Sequence, residues 1–90
     1  MDVENTLKTI LIDELFVDLP RSEIGLDDGL RDKLALDSLG FSELRAQCEF
    51  EFDIKISNQD FVPENFTSLR TLMALIARLR DVPADGRAAK

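Results

Sequence analysis

Histidine is absent from this 90-residue chain, which removes the side chain most often used for acid–base work near neutral pH. Cysteine occurs once, as Cys48, so neither an internal disulfide nor a cysteine-cluster metal site can form. Glycine and proline are sparse, at 4 and 3 residues, and no glycine-rich loop is present to cradle a phosphate. No apolar run approaches the roughly 20 residues that a membrane span needs. The opening Met-Asp-Val-Glu lacks a basic signal-peptide start, so a cytoplasmic protein with no membrane role is expected.

Acid is abundant. Eighteen Asp and Glu against 11 Lys and Arg give a net charge of −7. Such a surface repels nucleic acid and attracts proteins with basic patches. The length suits one modest core. We assign residues 1–82 to a helical domain, and 83–90, small and polar, to a disordered C-terminal tail.

Apolar spacing predicts an all-α fold. Val3, Leu7, Ile10, Leu11 and Leu15 recur at helical intervals, giving a first helix over about 2–16. A long connection follows from Arg21 to Asp37, which Ile24, Leu26, Leu30, Leu34 and Leu36 could pin across the helices, with a helical turn at 30–33. Asp27-Asp28-Gly29 lacks the alternating oxygen ligands and terminal glutamate of a calcium loop. The second helix spans 38–52, with Leu44 and Cys48 on its core stripe, Phe41 or Phe52 at the ends and Leu39 packed nearby. Phe50 fits either a sideways packing role or exposure to a partner, and Glu49 and Glu51 read as solvated. Asp53-Ile54-Lys55-Ile56 is too short for a sheet and reads as a loop anchored by Ile54 or Ile56. A short helix or turn fits 58–61. The last helix opens near Phe66-Thr67-Ser68 with Thr67 as N-cap and buries Leu69, Leu72, Met73, Ile76 and Leu79 until Val82-Pro83 ends it.

Asp37-Ser38-Leu39 sits at the start of the second helix. There Ser38 is expected to cap the helix, and the free N–H groups and positive dipole end also favour a phosphate. A hydroxyl at that place can carry a phosphodiester at little structural cost. Nothing in the sequence supplies Ser38 with a base that would make it a hydrolase nucleophile, and no catalytic residue or metal site is assigned.

The chain resembles the acyl carrier proteins. The family's attachment motif, Gly-x-Asp-Ser-Leu, reads here Ala35-Leu36-Asp37-Ser38-Leu39. Glu43-Leu44, Glu51-Phe52-Asp53 with Ile56, and Thr67-Ser68-Leu69 extend the likeness from about residue 3 to residue 81. The resemblance implies a four-helix acyl-carrier-type bundle with three principal helices, one short helix and a long first loop. It implies 4'-phosphopantetheine on Ser38, attached by a phosphopantetheinyl transferase, with acyl groups held as thioesters and no catalysis by the carrier itself. It also implies a monomer whose partners are a loading enzyme, acyltransferase or ketosynthase with basic docking patches. Asp37 would help present Ser38, while Leu39, Glu43, Ala46 and Phe50 would contribute to partner recognition.

Departures from the family pattern refine this. Ala35 replaces the usual glycine, where a left-handed backbone would be uncomfortable, and Gly40 falls in the first turn of the helix. Ala46 is smaller than the common apolar contact, and Phe41 and Phe50 make the recognition helix more aromatic. A discrete carrier of a polyketide or related specialised pathway, such as antibiotic biosynthesis, is therefore expected, with a hydroxymalonyl- or methoxymalonyl-type extender unit as cargo. An aminoacyl or peptidyl carrier of nonribosomal synthesis is the alternative, disfavoured by aspartate before Ser38. An acidic helical adaptor without cofactor explains the charge but leaves Asp37-Ser38-Leu39 to chance.

Overall fold

A computed structural model describes residues 3–81; the predicted tail at 83–90 lies outside the described residues. Helix α1, Val3–Thr9, continues without a break into a π-helical turn, Ile10–Glu14. Leu7, Ile10 and Leu11 are buried, and Val3 and Leu15 pack against the same core, as their spacing predicts. The wider turn closes with Leu15 N–H on the Ile10 carbonyl at 3.1 Å and Val17 N–H on the Leu11 carbonyl at 2.9 Å. Between them Phe16 takes a left-handed φ of 59°, which turns its ring outward, 81% exposed, and returns the chain so that Val17 is buried. Apolar spacing alone does not reveal this ending, because it specifies a face and not the hydrogen-bond step.

The connection to the next helix is long but well anchored. Ile24, Leu30, Leu34 and Leu36 are buried and Leu26 is partly so. A short 3₁₀ turn, Arg21–Glu23, starts it, and Arg21 donates to Asn5 Oδ1 at 2.7 Å and Thr9 Oγ1 at 2.8 Å on α1. The carboxylates of Asp27-Asp28-Gly29 have protein partners. Asp27 accepts two hydrogen bonds from Arg70, at 2.6 and 3.1 Å, which hold its carboxyl below the usual range. Asp28 accepts from Gly25 N–H at 2.7 Å and pairs with Lys33 at 3.3 Å, and it too is held low, chiefly by the Gly25 bond. The helical turn expected at 30–33 is present as a turn closed by Lys33 and Leu34 N–H on the Gly29 carbonyl.

Helix α2, Ser38–Phe52, has the predicted bounds. Leu44, Cys48 and Phe52, four residues apart, form its buried face, and Phe41 is partly buried. Asp53 closes it in a left-handed conformation at φ 54°. Both isoleucines of the following loop, Ile54 and Ile56, are buried. Glu49, expected to be solvated, instead accepts the Ile56 N–H at 2.7 Å and ties this loop back to α2. A turn does occupy 58–60, but the short helix lies further on, at Pro63–Asn65, with proline in its first turn where a missing N–H costs nothing.

Helix α3, Leu69–Asp81, buries Leu69, Leu72, Leu75 and Ile76, with Met73 and Leu79 partly covered. Leu75 is an addition to the predicted face. Thr67 does not cap this helix: its hydroxyl donates to the Pro63 carbonyl at 2.8 Å. Ser68 is the cap, exchanging bonds with Thr71 in both directions, at 3.0 and 3.4 Å. The loop and α3 meet where Leu30 N–H reaches the Thr67 carbonyl and Arg70 N–H the Leu26 carbonyl, each at 2.9 Å. The result is an all-α fold of three principal helices and two 3₁₀ turns around one core, with no strand among the described residues.

Two positions invite measurement. Ala35 sits at φ 62°, a left-handed conformation that lets Leu34 and Leu36 on either side both enter the core. Glycine removes that clash at some cost in unfolded-chain entropy, so Ala35→Gly should raise stability by roughly 0.5–1 kcal/mol in denaturant titration. Cys48 is fully buried, and burial, helped by the Glu49 charge, pushes its thiol up to about 12. It should resist a thiol reagent at pH 8 in the native protein and react once unfolded. Because the folded-state value is raised, the stability it contributes is complete below about pH 8.5 and is lost as pH rises towards 12. Melting points between pH 9 and 11 should therefore fall more steeply in the wild type than in Cys48→Ala.

Candidate attachment site

The start of α2 is built by three consecutive residues with different tasks. Leu36 is buried and fixes the strand of chain leading in. Asp37 is the N-cap, its Oδ1 accepting the Gly40 N–H at 2.8 Å. Ser38 is the first residue inside the helix and is exposed. The expectation that Ser38 caps the helix is thus corrected: Asp and Ser are both strong caps, and the extended backbone at Asp37 gives the role to it. Gly40 has a packing reason to be glycine, since a Cβ there would lie 3.3 Å from Leu36 Cδ2 and 3.4 Å from Asp37 Oδ1.

Ser38 stands on the wall of a groove of about 440 Å³. Phe41 of α2, Phe61 of the following loop and Phe66 before α3 line it. Their rings meet edge to face, Phe61 on Phe66 at 5.1 Å and 86°, Phe41 on Phe66 at 6.4 Å and 81°. Arg45 braces the far side: it donates to the Ile56 carbonyl at 2.5 Å and to Asn58, and its guanidinium lies 4.8 Å from the Phe61 ring centre. Arg31 closes the near rim, 5.5 Å over the Phe41 ring. This groove escapes sequence reading because its rings lie 20 and 5 residues apart along the chain, outside any helical or strand period.

The remaining expected site residues form a stripe. At about 100° per residue, Leu39, Glu43, Ala46 and Phe50 fall on one side of α2, opposite Leu44, Cys48 and Phe52. All four are exposed, Leu39 by 78% and Phe50 by 80%. Leu39 therefore does not pack on the core, and of the two readings of Phe50 the exposed one holds. Phe41 is the inward aromatic. Glu43 accepts a hydrogen bond from Gln47 at 3.0 Å on this face.

A primary alcohol exposed at the positive end of a 15-residue helix, beside an apolar groove, suits an esterified phosphate and a tethered chain. Residues 5–81 match the phosphopantetheine attachment site family. The chain belongs to this family. It is also 38% identical, over 60 residues, to the acyl carrier protein of Chlamydia felis (strain Fe/C-56), an overlap of 67% of this chain and 74% of that protein. The prosthetic group of this phosphopantetheine-attachment protein is covalently bound 4'-phosphopantetheine, and the protein is a carrier homologous to acyl carrier proteins. Family membership implies dealings with a phosphopantetheinyl transferase and with acyl-handling enzymes, as carriers of this kind are generally not catalysts.

The residues present fit the group. Asp37 takes the Gly40 N–H, leaving the Ser38 and Leu39 N–H groups at the helix start to face an anion. When bound, phosphopantetheine supplies a terminal thiol on which an acyl group is held as a thioester. No helix among the described residues is long and apolar enough to cross a membrane.

Proposed function

We propose that Ser38 is the attachment residue and that the protein carries acyl intermediates in a polyketide or related specialised pathway, with short malonyl-type extender units as cargo. The observation that carries this reading is the exposed Ser38 hydroxyl on the wall of a compact aromatic groove, freed from capping by Asp37. The groove, about 440 Å³ and lined by three phenylalanines, lies where an arm on Ser38 would begin. Leu39, Glu43, Ala46 and Phe50 are the docking stripe, more apolar than charged, which suits few dedicated partners. Asp37, as N-cap, helps present Ser38 to the transferase.

The test is loading. Apo protein, Mg²⁺, malonyl-coenzyme A and a broad-specificity phosphopantetheinyl transferase should give one malonyl-phosphopantetheine per chain, mapped by peptide mass spectrometry to the peptide holding Ser38. The Ser38 Oγ–phosphorus bond forms as the pyrophosphate bond of coenzyme A breaks, and adenosine 3',5'-bisphosphate leaves. Acyltransferases offering malonyl-type and long straight-chain acyl groups to the holo protein should load the former faster. Preferential long-chain or aminoacyl loading would refute the cargo assignment.

The docking stripe makes a separate prediction. Glu43→Lys reverses a charge on the exposed face, and rim charges act mainly through encounter. The KM of the carrier for its transferase should rise several-fold with kcat little changed, and added salt should weaken the wild type towards the variant. An unchanged KM would remove Glu43 from the stripe.

A further inference from the structure

Arg31 is the one basic side chain among the described residues that lines the groove beside Ser38. Arg70 and Arg78 are paired with aspartates, Arg21 and Arg45 are held by hydrogen bonds, and Arg80 lies over Phe52. Arg31 has no carboxylate partner, although Asp32 is its neighbour and the protein carries a net charge of −7. Its guanidinium is instead held 5.5 Å over the Phe41 ring, on the rim of the groove that Ser38 also lines. A guanidinium with no carboxylate in pairing contact and one face against an aromatic ring is open to an oxyanion on its other side. The planar fork of arginine matches a carboxylate or a phosphate with two parallel hydrogen bonds.

We propose that Arg31 holds an anionic group of the arm attached at Ser38, and so inclines the groove towards acyl groups that end in a carboxylate. This rests on the attachment reading for Ser38. Two oxyanions are available on such an arm: the phosphodiester at Ser38 itself, and the free carboxylate of a dicarboxylic acyl thioester whose arm folds back into the groove. Tethering makes even a weak surface pair count, because the anion is presented at high effective concentration. Asp32, on the same rim, opposes an anion that lacks the arginine. Arg31 therefore discriminates by charge at a site whose phenylalanines are indifferent to it.

The experiment compares three loaded forms. Apo protein is converted with coenzyme A, acetyl-coenzyme A or malonyl-coenzyme A, and intact mass and peptide mapping establish occupancy of Ser38. Nitrogen–proton spectra then follow the Arg31 Nε–H, with aromatic spectra for Phe41 and Phe61, in wild type and in Arg31→Gln. Malonyl loading should shift the Arg31 Nε–H and both rings more than acetyl loading. In Arg31→Gln the malonyl-specific ring shifts should fall about threefold, in line with a partly exposed pair, while the melting point stays unchanged. Arg31→Lys should recover only part of the shift. Equal Arg31 shifts in all three forms identify the phosphodiester as the anion held and overturn the carboxylate preference. With Ser38 loaded, absence of any Arg31 shift in the three forms overturns the proposal entirely. If no arm is found on Ser38, the attachment reading itself has failed, and the role of Arg31 falls with it.

Discussion

Ser38→Ala should gain no phosphopantetheine from coenzyme A, Mg²⁺ and a transferase, yet melt within a degree or two of the wild type. The first half follows from removal of the nucleophilic oxygen. The second follows from the structure of the helix start. Asp37 accepts the Gly40 N–H, and the exposed Ser38 lies inside the helix, where alanine has the better propensity. A substitution of that kind usually changes stability by less than about 0.5 kcal/mol. Had Ser38 been the cap, its loss would cost about 1 kcal/mol, or roughly 4–8 °C in a domain of this size. Intact mass and a thermal scan on one sample therefore test both assignments. Arm addition to Ser38→Ala would place the attachment elsewhere, and a large drop in melting point would return the cap to Ser38. Asp37→Ala should show the converse pattern, with measurable destabilisation.

Phe66→Ala should produce the largest loss of stability of the changes considered. Phe66 is 4% exposed and is the ring on which both Phe41 and Phe61 rest edge-on. Truncating a buried phenylalanine costs about 3–5 kcal/mol through lost burial and the cavity left behind. Single domains have only about 5–15 kcal/mol in total, so the melting point should fall by roughly 20 °C, and chemical denaturation should show the same loss. The groove wall would collapse with it, because Phe61 and Phe41 lose their common support. Phe66→Leu keeps most of the volume and should fold with a cost below about 1.5 kcal/mol. It then isolates the effect on the groove: aromatic shifts of Phe41 and Phe61 should move on arm addition less than in the wild type. A Phe66→Ala protein as stable as the wild type would mean the three rings do not form one unit.

The elements that were legible in the sequence are those fixed by local pattern. The bounds of α2 follow from the polar Asp37-Ser38 pair and the four-residue repeat of Leu44, Cys48 and Phe52. The leucines and the isoleucine of the first loop announce an anchored connection, and burial of all but the half-covered Leu26 agrees. What the pattern leaves open depends on backbone angles or on contacts across the chain. Two adjacent good caps cannot be ranked without knowing which one is extended, and the same ambiguity displaced the cap of α3 from Thr67 to Ser68. The π turn and the outward Phe16 depend on one extra residue in a hydrogen-bonded ring. Leu39 looks like core by composition and is surface by position. The groove and Arg31 needed the meeting of α2, the first loop and the segment before α3, which no spacing encodes.

Cys48 has a chemical consequence beyond packing. A thioester is vulnerable to any nearby thiolate, and a carrier with a reactive cysteine could strand its load on its own body by sulfur-to-sulfur exchange. With its thiol pushed up to about 12 and its side chain sealed beneath α2, Cys48 stays protonated at neutral pH. Cys48 therefore offers no second acceptor to a thioester carried on the prosthetic arm. Among the ways a thioester can be lost, exchange onto the protein's own cysteine is the one this burial closes.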